Sequence, residues 1–522
     1  MKISIFILFL FPVLLKGQVK PEWQHLDPEM DGVLGISTFK AYDLLKDKKA
    51  DTVIIAVIDN GAELTHEDLQ GQFWNNPGEI AGNGLDDDKN GYIDDIHGWN
   101  FLGNNKGQNI KRETTELTRI YGNFIKRFGE YPGISDFKND STVYKKYLEF
   151  KKRYEKSVNE KNDEIHLYQN ILAKYLYADS VIKHYLKLET YTQLDLFGIK
   201  DSVKLIVESR NFLLDIYSAD LTIQKIKSII QNNLEDLKTR LNPEFSVRQE
   251  IIGDNPEDIN DDDYGNNMVD AQGPYHGTGV AGTIAALWNG KGINGVARHV
   301  KLMILRVLPN GDERDKDVAL AIRYAVKNRA QIINCSFGKS YSSNPEFVIH
   351  AIRAAEENNV LIVHAAGNDG RNNDSIPTYP TGYYSKGKRA GNWISVGATN
   401  ARDNSGILAY FSNYGKESVD VFAPGVDIPS CALGSKYDQA SGTSTAAPIV
   451  SGIAAVLKSY FPKLTAIQIK NIIVESVYIP KTSMVKLPGN RNTLVFFRDL
   501  SVSGGIANLE KAIQLALQKC GN

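Results

Sequence analysis

Three short segments, far apart in a chain of 522 residues, constrain the fold more than any other feature of the sequence. The first runs from Val57 to Gly61 around Asp59, the second begins at His276, and the third surrounds Ser444. Aspartate, histidine and serine cooperate on several unrelated folds, and each of those folds has its own chain order. The order found here therefore restricts the fold to one that brings three distant segments together in this order.

The three residue types can supply a base, an orienting acid and a nucleophile. A serine hydroxyl is a weak nucleophile at its ordinary pKa, so a base must take its proton as it attacks a carbonyl. His276 is the candidate base, Ser444 the candidate nucleophile, and Asp59 the residue that would fix the imidazole tautomer. Each residue alone is equally typical of a turn, a helix cap or a loop. The conjunction of all three, in order, indicates a catalytic site.

Local patterns place each candidate at the end of a secondary-structure element. Residues 52–58 form a continuous β-branched apolar run, typical of a buried parallel strand. Asp59 follows that run, where ligands bind in open α/β sheets. His276 and Ser444 each precede a helical run, and the N-terminus of a helix favours negative charge. The patterns therefore predict a site at the carboxyl edge of a parallel sheet.

The chain resembles the subtilisin-like serine proteases, the subtilase or peptidase S8 family, over about residues 50–100 and 270–515. The resemblance rests on the segments Val57-Ile58-Asp59-Asn60-Gly61, His276-Gly277-Thr278-Gly279 and Ser441-Gly442-Thr443-Ser444-Thr445-Ala446-Ala447-Pro448. It implies an α/β fold, with a mostly parallel sheet flanked by helices on both faces. It also implies a serine endopeptidase that cleaves peptide bonds through an acyl-enzyme on Ser444. Gly279 and Thr445 depart from the family pattern of histidine and methionine, which leaves rate and pocket shape open.

The same resemblance implies further site residues. Asn368, at the end of a segment that begins at Val363, would be the side-chain donor of the oxyanion hole, with the N–H of Ser444 as the second donor. Residues Ser336, Phe337 and Gly338 would line the substrate cleft and pair with the backbone of a peptide. Apolar runs predict parallel strands over 300–307 and 330–335, with a helix over 317–327 between them. The resemblance implies that segments 393–399 and 419–425 continue the family order and that a terminal helix lies over 503–512.

Net charge, cysteine count and the N-terminal sequence limit the function and location that the chain can have. A net charge of −2 gives no basic field for nucleic acid. Three cysteines are too few for a disulfide framework, and an odd number cannot all pair within the chain. Residues 1–18, with Lys2 before an apolar run to Leu15, are typical of an export signal, and a retained N-terminal anchor is the alternative. That run is too short to span a bilayer. We expect an exported protein, periplasmic or secreted, without a transmembrane span in the mature chain.

His276 follows Asp59 by 217 positions, whereas a few dozen separate them in an ordinary subtilase. We predict a discontinuous peptidase domain, residues 19–104 and 251–518, that is interrupted by a helical insertion at residues 105–250. Apolar residues recur in the insertion at steps of three and four, for example from Val143 to Val158. The pattern predicts a helical hairpin or small bundle, whose tyrosines serve packing more often than binding. Beside the active site, it could gate access or hold a protein partner.

An acidic loop opens the insertion and suggests a calcium site. Asp86, Asp88, Asn90 and Asp94 offer oxygen ligands with the alternating spacing of a calcium loop, although the twelfth position, His97, is not the glutamate of an EF-hand. A solvated acidic turn is the alternative. A second loop, residues 260–270, echoes the first and could share the metal or pin the insertion. The chemistry itself requires no cofactor. The segment from Asn83 to Phe101 resembles a Bacteroidetes-type group of bacterial subtilases.

Two rival functions remain open at this stage. The first is an exported binding module in which the site is a relic and the insertion holds a partner. The second is a serine hydrolase that acts on esters or other amides. The complete set of Asp59, His276, Ser444 and Asn368 argues against the first, and the cleft segment argues against the second. We therefore expect protein or peptide substrates.

Overall fold

A computed structural model describes residues 22–138, 140–270 and 275–520; the predicted export signal, residues 1–18, lies outside these ranges. The strands are β1 Val53–Asp59, β2 Gly98–Asn100, β3 Val300–Arg306, β4 Ile332–Cys335, β5 Leu361–Ala365, β6 Tyr383–Ser385, β7 Lys388–Arg389, β8 Trp393–Thr399, β9 Val421–Pro424, β10 Ile428–Ala432, β11 Lys436–Ala440, β12 Met484–Leu487 and β13 Asn490–Phe496. The α-helices are α1 Thr38–Leu45, α2 Glu116–Phe128, α3 Ser141–Leu186, α4 Gln193–Gly198, α5 Lys204–Ser218, α6 Ile223–Lys238, α7 Val247–Ile251, α8 His276–Ala285, α9 Asp315–Lys327, α10 Pro345–Glu357, α11 Thr443–Tyr460, α12 Ala466–Glu475 and α13 Leu509–Cys520.

Seven parallel strands form the central sheet, in the order β2-β3-β1-β4-β5-β8-β9. β1 is buried along nearly its whole length, as its continuous apolar run requires of a strand covered on both faces. The connections from β1 lead to β2 and β3 on one side, and β4 lies on its other side. Such a reversal of strand order opens a crevice at the carboxyl ends of the strands. Asp59 ends β1 at this crevice.

Helices cover both faces of the sheet, which confirms the predicted α/β architecture. On one face, α8 and α11 pack against alternate residues of β1 such as Val57. On the other face, α9 and α10 pack against the intervening residues, such as Ile58. The two apolar layers enclose the sheet and hold the ends of β1, α8 and α11 at the same edge.

The terminal helix begins well after its predicted start. The terminal helix was expected over residues 503–512, but α13 begins at Leu509. Gly504 has a φ of +62°, in the left-handed region that glycine favours, and the segment forms a turn. The side chain of Asn508 then accepts the N–H of Lys511, as an N-cap does. Turn and cap together delay the helix.

The helices α2–α7 lie between β2 and α8 in the chain, and the predicted boundaries of the insertion stay predictions. α3 is a single helix of 46 residues, about 70 Å long, and it includes the periodic apolar run from Val143 to Val158. The insertion has two apolar clusters of its own. One is centred on Tyr121 and Tyr147 and joins α2 to α3. The other, around Ile182 and Leu213, joins α3 to α4, α5 and α6.

Buried ion pairs attach the end of the insertion to the sheet domain. The guanidinium of Arg248 in α7 donates to Asp254 and to Asp317 in α9, and Lys316 also binds Asp254. All four side chains are buried. Since a buried charge is costly unless it is paired, these contacts fix α7 in one position against α9. Among the described residues, no helix is long and apolar enough to cross a membrane.

Candidate active site

Asp59 and His276 are joined by a hydrogen bond at the carboxyl edge of the sheet. The Nδ1 atom of His276 lies 2.8 Å and 3.0 Å from the two carboxylate oxygens of Asp59. Asp59 is fully buried, and its Oδ1 also accepts the N–H of Asn60. Gly277 lets α8 approach this closely, because a Cβ there would lie 2.1 Å from the carbonyl oxygen of Gly61. Residues 271–274, just before α8, lie outside the described part of the chain.

The charge of Asp59 sets the state of the imidazole. The carboxylate raises the pKa of His276 above its ordinary value, mainly by Coulomb attraction, against the opposing effect of burial. A carboxylate can only accept hydrogen bonds, so Nδ1 carries the proton. In the neutral ring, Nε2 therefore has a free lone pair. The imidazole is 39 % exposed, on the cleft side of the buried Asp59.

Ser444 is the second residue of α11, and it lies in the same cleft. A cavity of about 350 Å³, here called the His276 cavity, is lined by residues that include Asp59, His276, Asn368 and Ser444. Within the described ranges, no direct hydrogen bond joins the Ser444 hydroxyl to His276. Such bonds are often long before substrate binds, so the shared cavity is the more informative observation.

Asn368 follows β5, and its side-chain orientation is fixed by α11. Its Oδ1 accepts two hydrogen bonds from Thr443, one from the N–H and one from the hydroxyl, both 2.9 Å long. Because Oδ1 is occupied, Nδ2 is the end left to donate. A Cβ added at Gly442 would lie 2.8 Å from Ser444 Oγ and 3.6 Å from Asn368 Nδ2. Ser444 Oγ and the Asn368 amide therefore flank the same point, and only glycine leaves it open.

Ser336 ties the end of β4 to the nucleophile segment. Its hydroxyl donates to the carbonyl oxygen of Ser444 at 2.8 Å and lies 2.9 Å from the Nδ2 of Asn334. The Oδ1 of Asn334 in turn accepts from Ser451, inside α11. This buried chain of hydrogen bonds holds α11 against β4. Phe337 and Gly338 follow, and they line the His276 cavity and a second cavity that also includes Ser444.

A second edge of the cleft was not anticipated from the sequence. Residues 309–313, after β3, line the His276 cavity opposite Ser336 to Gly338. The N–H of Asn310 donates to the carbonyl of Lys111, and the carbonyl of Asn310 accepts the N–H of Glu113. The insertion thus pairs with the outer side of this segment. The Asn-Gly pair at 310–311 is typical of a turn, so the sequence contains no local pattern that predicts this pairing.

The acidic loop has a donor arrangement that differs in part from the predicted one. Asp86 and Asp88 gather with Glu79, each offering an oxygen within 4.8 Å of the others. Asp94 instead accepts backbone N–H groups from residues 82–84, and the Oδ1 of Asn90 accepts the N–H of Tyr92. Three carboxylates are hard oxygen donors and fit a cation such as Ca²⁺. Glu79 was missed because it lies outside the Asp-rich run.

The second acidic loop contacts the first but adds nothing to that cluster. The side chain of Asn267 donates to the carbonyl of Asp94, which joins the two loops. Over the described residues, the carboxylate cluster includes no member of residues 260–270. The joining of the loops therefore rests on hydrogen bonds, with Asn266 bridging to Asn100 beside them.

The chain is similar to several known proteins. A family model described as the subtilase family, peptidase S8, matches residues 50–496. The chain is 40 % identical over 199 residues to a thermostable alkaline protease of Halalkalibacterium halodurans, covering 38 % of this chain and 51 % of that protein. It is 40 % identical over 219 residues to the major intracellular serine protease of Bacillus subtilis, covering 41 % and 64 %. It is 37 % identical over 201 residues to subtilisin Savinase of Lederbergia lenta, covering 38 % and 68 %. The chain thus spans about half the length of the first of these relatives.

Proposed function

Because the chain belongs to the subtilase family, we propose that it is an exported serine endopeptidase that hydrolyses peptide bonds in proteins or peptides. One observation supports this above the others. The hydrogen bond between Asp59 and His276 lies on the wall of a cavity that also holds Ser444 and Asn368. The set provides an orienting acid, a base, a nucleophile and a donor for the oxyanion.

The proposed reaction begins with attack by Ser444. Nε2 of His276 takes the hydroxyl proton as Oγ bonds to the carbonyl carbon of the scissile peptide. The imidazolium that forms is stabilised by the buried charge of Asp59. His276 then gives its proton to the leaving amine as the C–N bond breaks, which leaves an acyl-enzyme on Ser444. Water, activated by the same imidazole, releases the acid and restores the serine.

The oxyanion of each tetrahedral intermediate would be held by Asn368. Its Nδ2 is aimed past Gly442 toward Ser444, because Thr443 occupies Oδ1. The backbone N–H of Ser444 is the proposed second donor. Donors fixed in place before the reaction cost no reorganisation when charge develops, which is why such a hole lowers the barrier.

Asn368→Leu is expected to lower kcat by about 10² to 10³-fold with little change in KM, because the amide donates only in the transition state. Steady-state kinetics on a fluorogenic peptide would measure both constants. Asn492→Leu, on the exposed strand β13, is the matched control and should behave as wild type. A kcat for Asn368→Leu within threefold of wild type would remove Asn368 from the oxyanion hole.

Casein digestion by the purified mature protein tests the proposed function itself. We expect wild-type protein to release soluble peptides. A relic site in a binding module would release none, and an esterase would cleave an activated ester but leave casein intact. Either of these results would replace the protease with the corresponding rival.

We also propose a structural Ca²⁺ on Glu79, Asp86 and Asp88, with no part in the chemistry. Burial and the nearby carboxylates of Asp95 and Asp88 raise the pKa of Glu79, a like-charge crowding that a cation would relieve. When bound, the ion would neutralise the loop. Calcium at 100 times its Kd should add about 2.7 kcal/mol of stability.

That binding energy is expected to raise Tm by roughly 2 to 4 °C, because the unfolding entropy of a chain of this size is large. In Asp86→Asn, calcium should no longer raise Tm. In Asp263→Asn, which changes an exposed acid of the second loop, calcium should raise Tm as it does in wild type. Scanning calorimetry with calcium and with a chelator measures the difference. An equal Tm under both conditions in wild type would leave the loop as a solvated acidic turn.

Three finer proposals complete this assignment. Export to the periplasm or medium is proposed from residues 1–18, and mass spectrometry of the mature N-terminus would test it. Membership of the Bacteroidetes-type group is proposed from residues 83–101, and a phylogeny that places the chain outside that group would reject it. The insertion is proposed as a surface for a protein partner, and copurification with wild type but not with a distal insertion variant would test it.

A further inference from the structure

A cavity beside Ser444 has walls from two parts of the chain. This cavity, of about 360 Å³ and here called the Leu117 cavity, is lined on the peptidase side by Ser336 to Gly338, Asn368 and Ser444. On its other side lie four insertion residues, Thr115, Leu117, Ser157 and Leu241. These come from the start of α2, from α3 and from the segment after α6. Separate parts of the insertion therefore converge on a cavity that contains the nucleophile.

The insertion reaches this cavity through main-chain pairing with the second edge of the cleft. Besides the two bonds of Asn310, the N–H of Asp312 donates to the carbonyl of Thr114. A Cβ at Gly311 would lie 2.0 Å from the carbonyl oxygen of Glu113, so the two backbones touch. Alternate residues of an extended segment direct their backbone groups to opposite sides. The N–H and carbonyl of Gly311 are thus directed away from the insertion, while the backbone groups of its two neighbours bind it.

Buried charges then bridge the two edges at one end of the cleft. Lys339, directly after Gly338, is 1 % exposed, and its Nζ donates to Glu116 of α2 and to the carbonyl of Glu313 at 3.0 and 2.8 Å. It also pairs with Asp315 at 2.9 Å. Arg119 of α2 donates to the same Glu313 carbonyl at 3.1 Å. The segment after β3 and the segment after β4 are therefore tied together by α2.

From these contacts we propose that the helical insertion is part of the substrate-binding site. Leu117 and Leu241 contact the bound peptide in the Leu117 cavity, and the Lys339 bridge ends the cleft at that point, so the residues of a longer substrate beyond it leave the cleft toward solvent. The inference rests on the proposed peptidase function and adds a limit on the substrate. Lys339 is three residues from Ser336, so the side of the cleft that ends at Lys339, here called the closed side, spans about 10 Å of extended chain. It accommodates about three substrate residues on one side of the scissile bond.

A peptide series tests the length limit. Fluorogenic peptides would carry one to six residues on each side of a common scissile bond. On one side, kcat/KM should rise up to about three residues and stay within twofold beyond that. A continued rise of kcat/KM through six residues on both sides would contradict the limit of about three residues on the closed side. No cleavage of any peptide, with casein also intact, would instead reject the proposed function on which this inference rests.

Variants of Leu117 test whether the insertion forms a wall of the substrate-binding site. Leu117 is partly exposed in the cavity, so Leu117→Trp should fill space without disturbing the core. We expect kcat/KM to fall at least tenfold for three-residue peptides and less than twofold for one-residue peptides on the closed side. Leu194→Trp, on the 79 % exposed Leu194 of α4, is the matched control and should change neither value.

A second variant tests the same claim if Leu117→Trp disturbs folding. Leu117→Ala enlarges the cavity, and the preferred side-chain size in a peptide library should shift upward at one position. If neither Leu117 variant changes the length dependence or the side-chain preference, while wild type and Leu194→Trp cleave alike, the insertion is not part of the substrate site. The proposed protease would survive that result.

Discussion

Ser444→Ala is expected to lower kcat by about 10⁶-fold while the protein stays folded. The hydroxyl is the only protein group in the proposed mechanism that bonds to the substrate carbon. Its removal should cost little stability, because no described residue forms a hydrogen bond with Ser444 Oγ. The variant should therefore keep the wild-type Tm and retain only the residual rate that the oxyanion hole and binding provide. Peptide hydrolysis and scanning calorimetry on the same preparation measure the two effects.

The control for this variant lies three positions upstream. Ser441 is exposed at the edge of the same segment, and its Oγ accepts the N–H of Asp427 rather than facing the cavity. Ser441→Ala should keep kcat within a few-fold of wild type. If Ser444→Ala retained more than about a thousandth of the wild-type kcat, another nucleophile would have to carry the reaction.

Asp59→Asn is expected to lower kcat by about 10⁴-fold. An amide can donate to Nδ1, which would move the imidazole proton to Nε2 and leave no lone pair toward Ser444. The imidazolium would also lose its neighbouring charge. Asp51→Asn, just before β1, is the matched control, because the hydrogen bonds of Asp51 with Ser459 involve only its backbone groups. A loss below tenfold would contradict the role of Asp59.

The same variant predicts a change in pH dependence. Asp59 raises the pKa of His276, and only the neutral imidazole can act as base. Wild-type kcat/KM should therefore fall, as pH decreases, through a midpoint above about 6.5. In Asp59→Asn the midpoint of the remaining activity should move to lower pH. Burial also raises the pKa of Glu313 to about 7, so the shift between the two proteins, not one midpoint, identifies His276.

The parts of the fold that follow local patterns could be predicted from the sequence. β1 is apolar on both faces, so its sequence indicates a buried parallel strand, and β8, predicted over 393–399 from the family resemblance, has those bounds. Asp59 and His276 stand at element ends, and the sheet topology brings those ends together. The start of α13 was missed because Asn508 caps the helix after a turn that the pattern did not reveal.

The interactions of the insertion could not be predicted in the same way. Its helices follow from their period, but their docking depends on buried charges such as Arg248, Lys316 and Lys339. A charged residue in a sequence normally indicates a solvent-exposed position, so burial of these three has no local signal. The pairing of residues 111–114 with 310–312 joins segments about 200 positions apart, and neither segment has a marked strand pattern.

The most direct test of the central claim is reaction of the native protein with a fluorophosphonate, followed by mapping of the adduct by mass spectrometry. The proposed site predicts one adduct, on Ser444, that forms in native wild type but not in denatured protein. Its rate of formation should fall in Asp59→Asn, where the base is disabled. No adduct on the folded protein, or an adduct on another serine with Ser444 unmodified, would contradict the account.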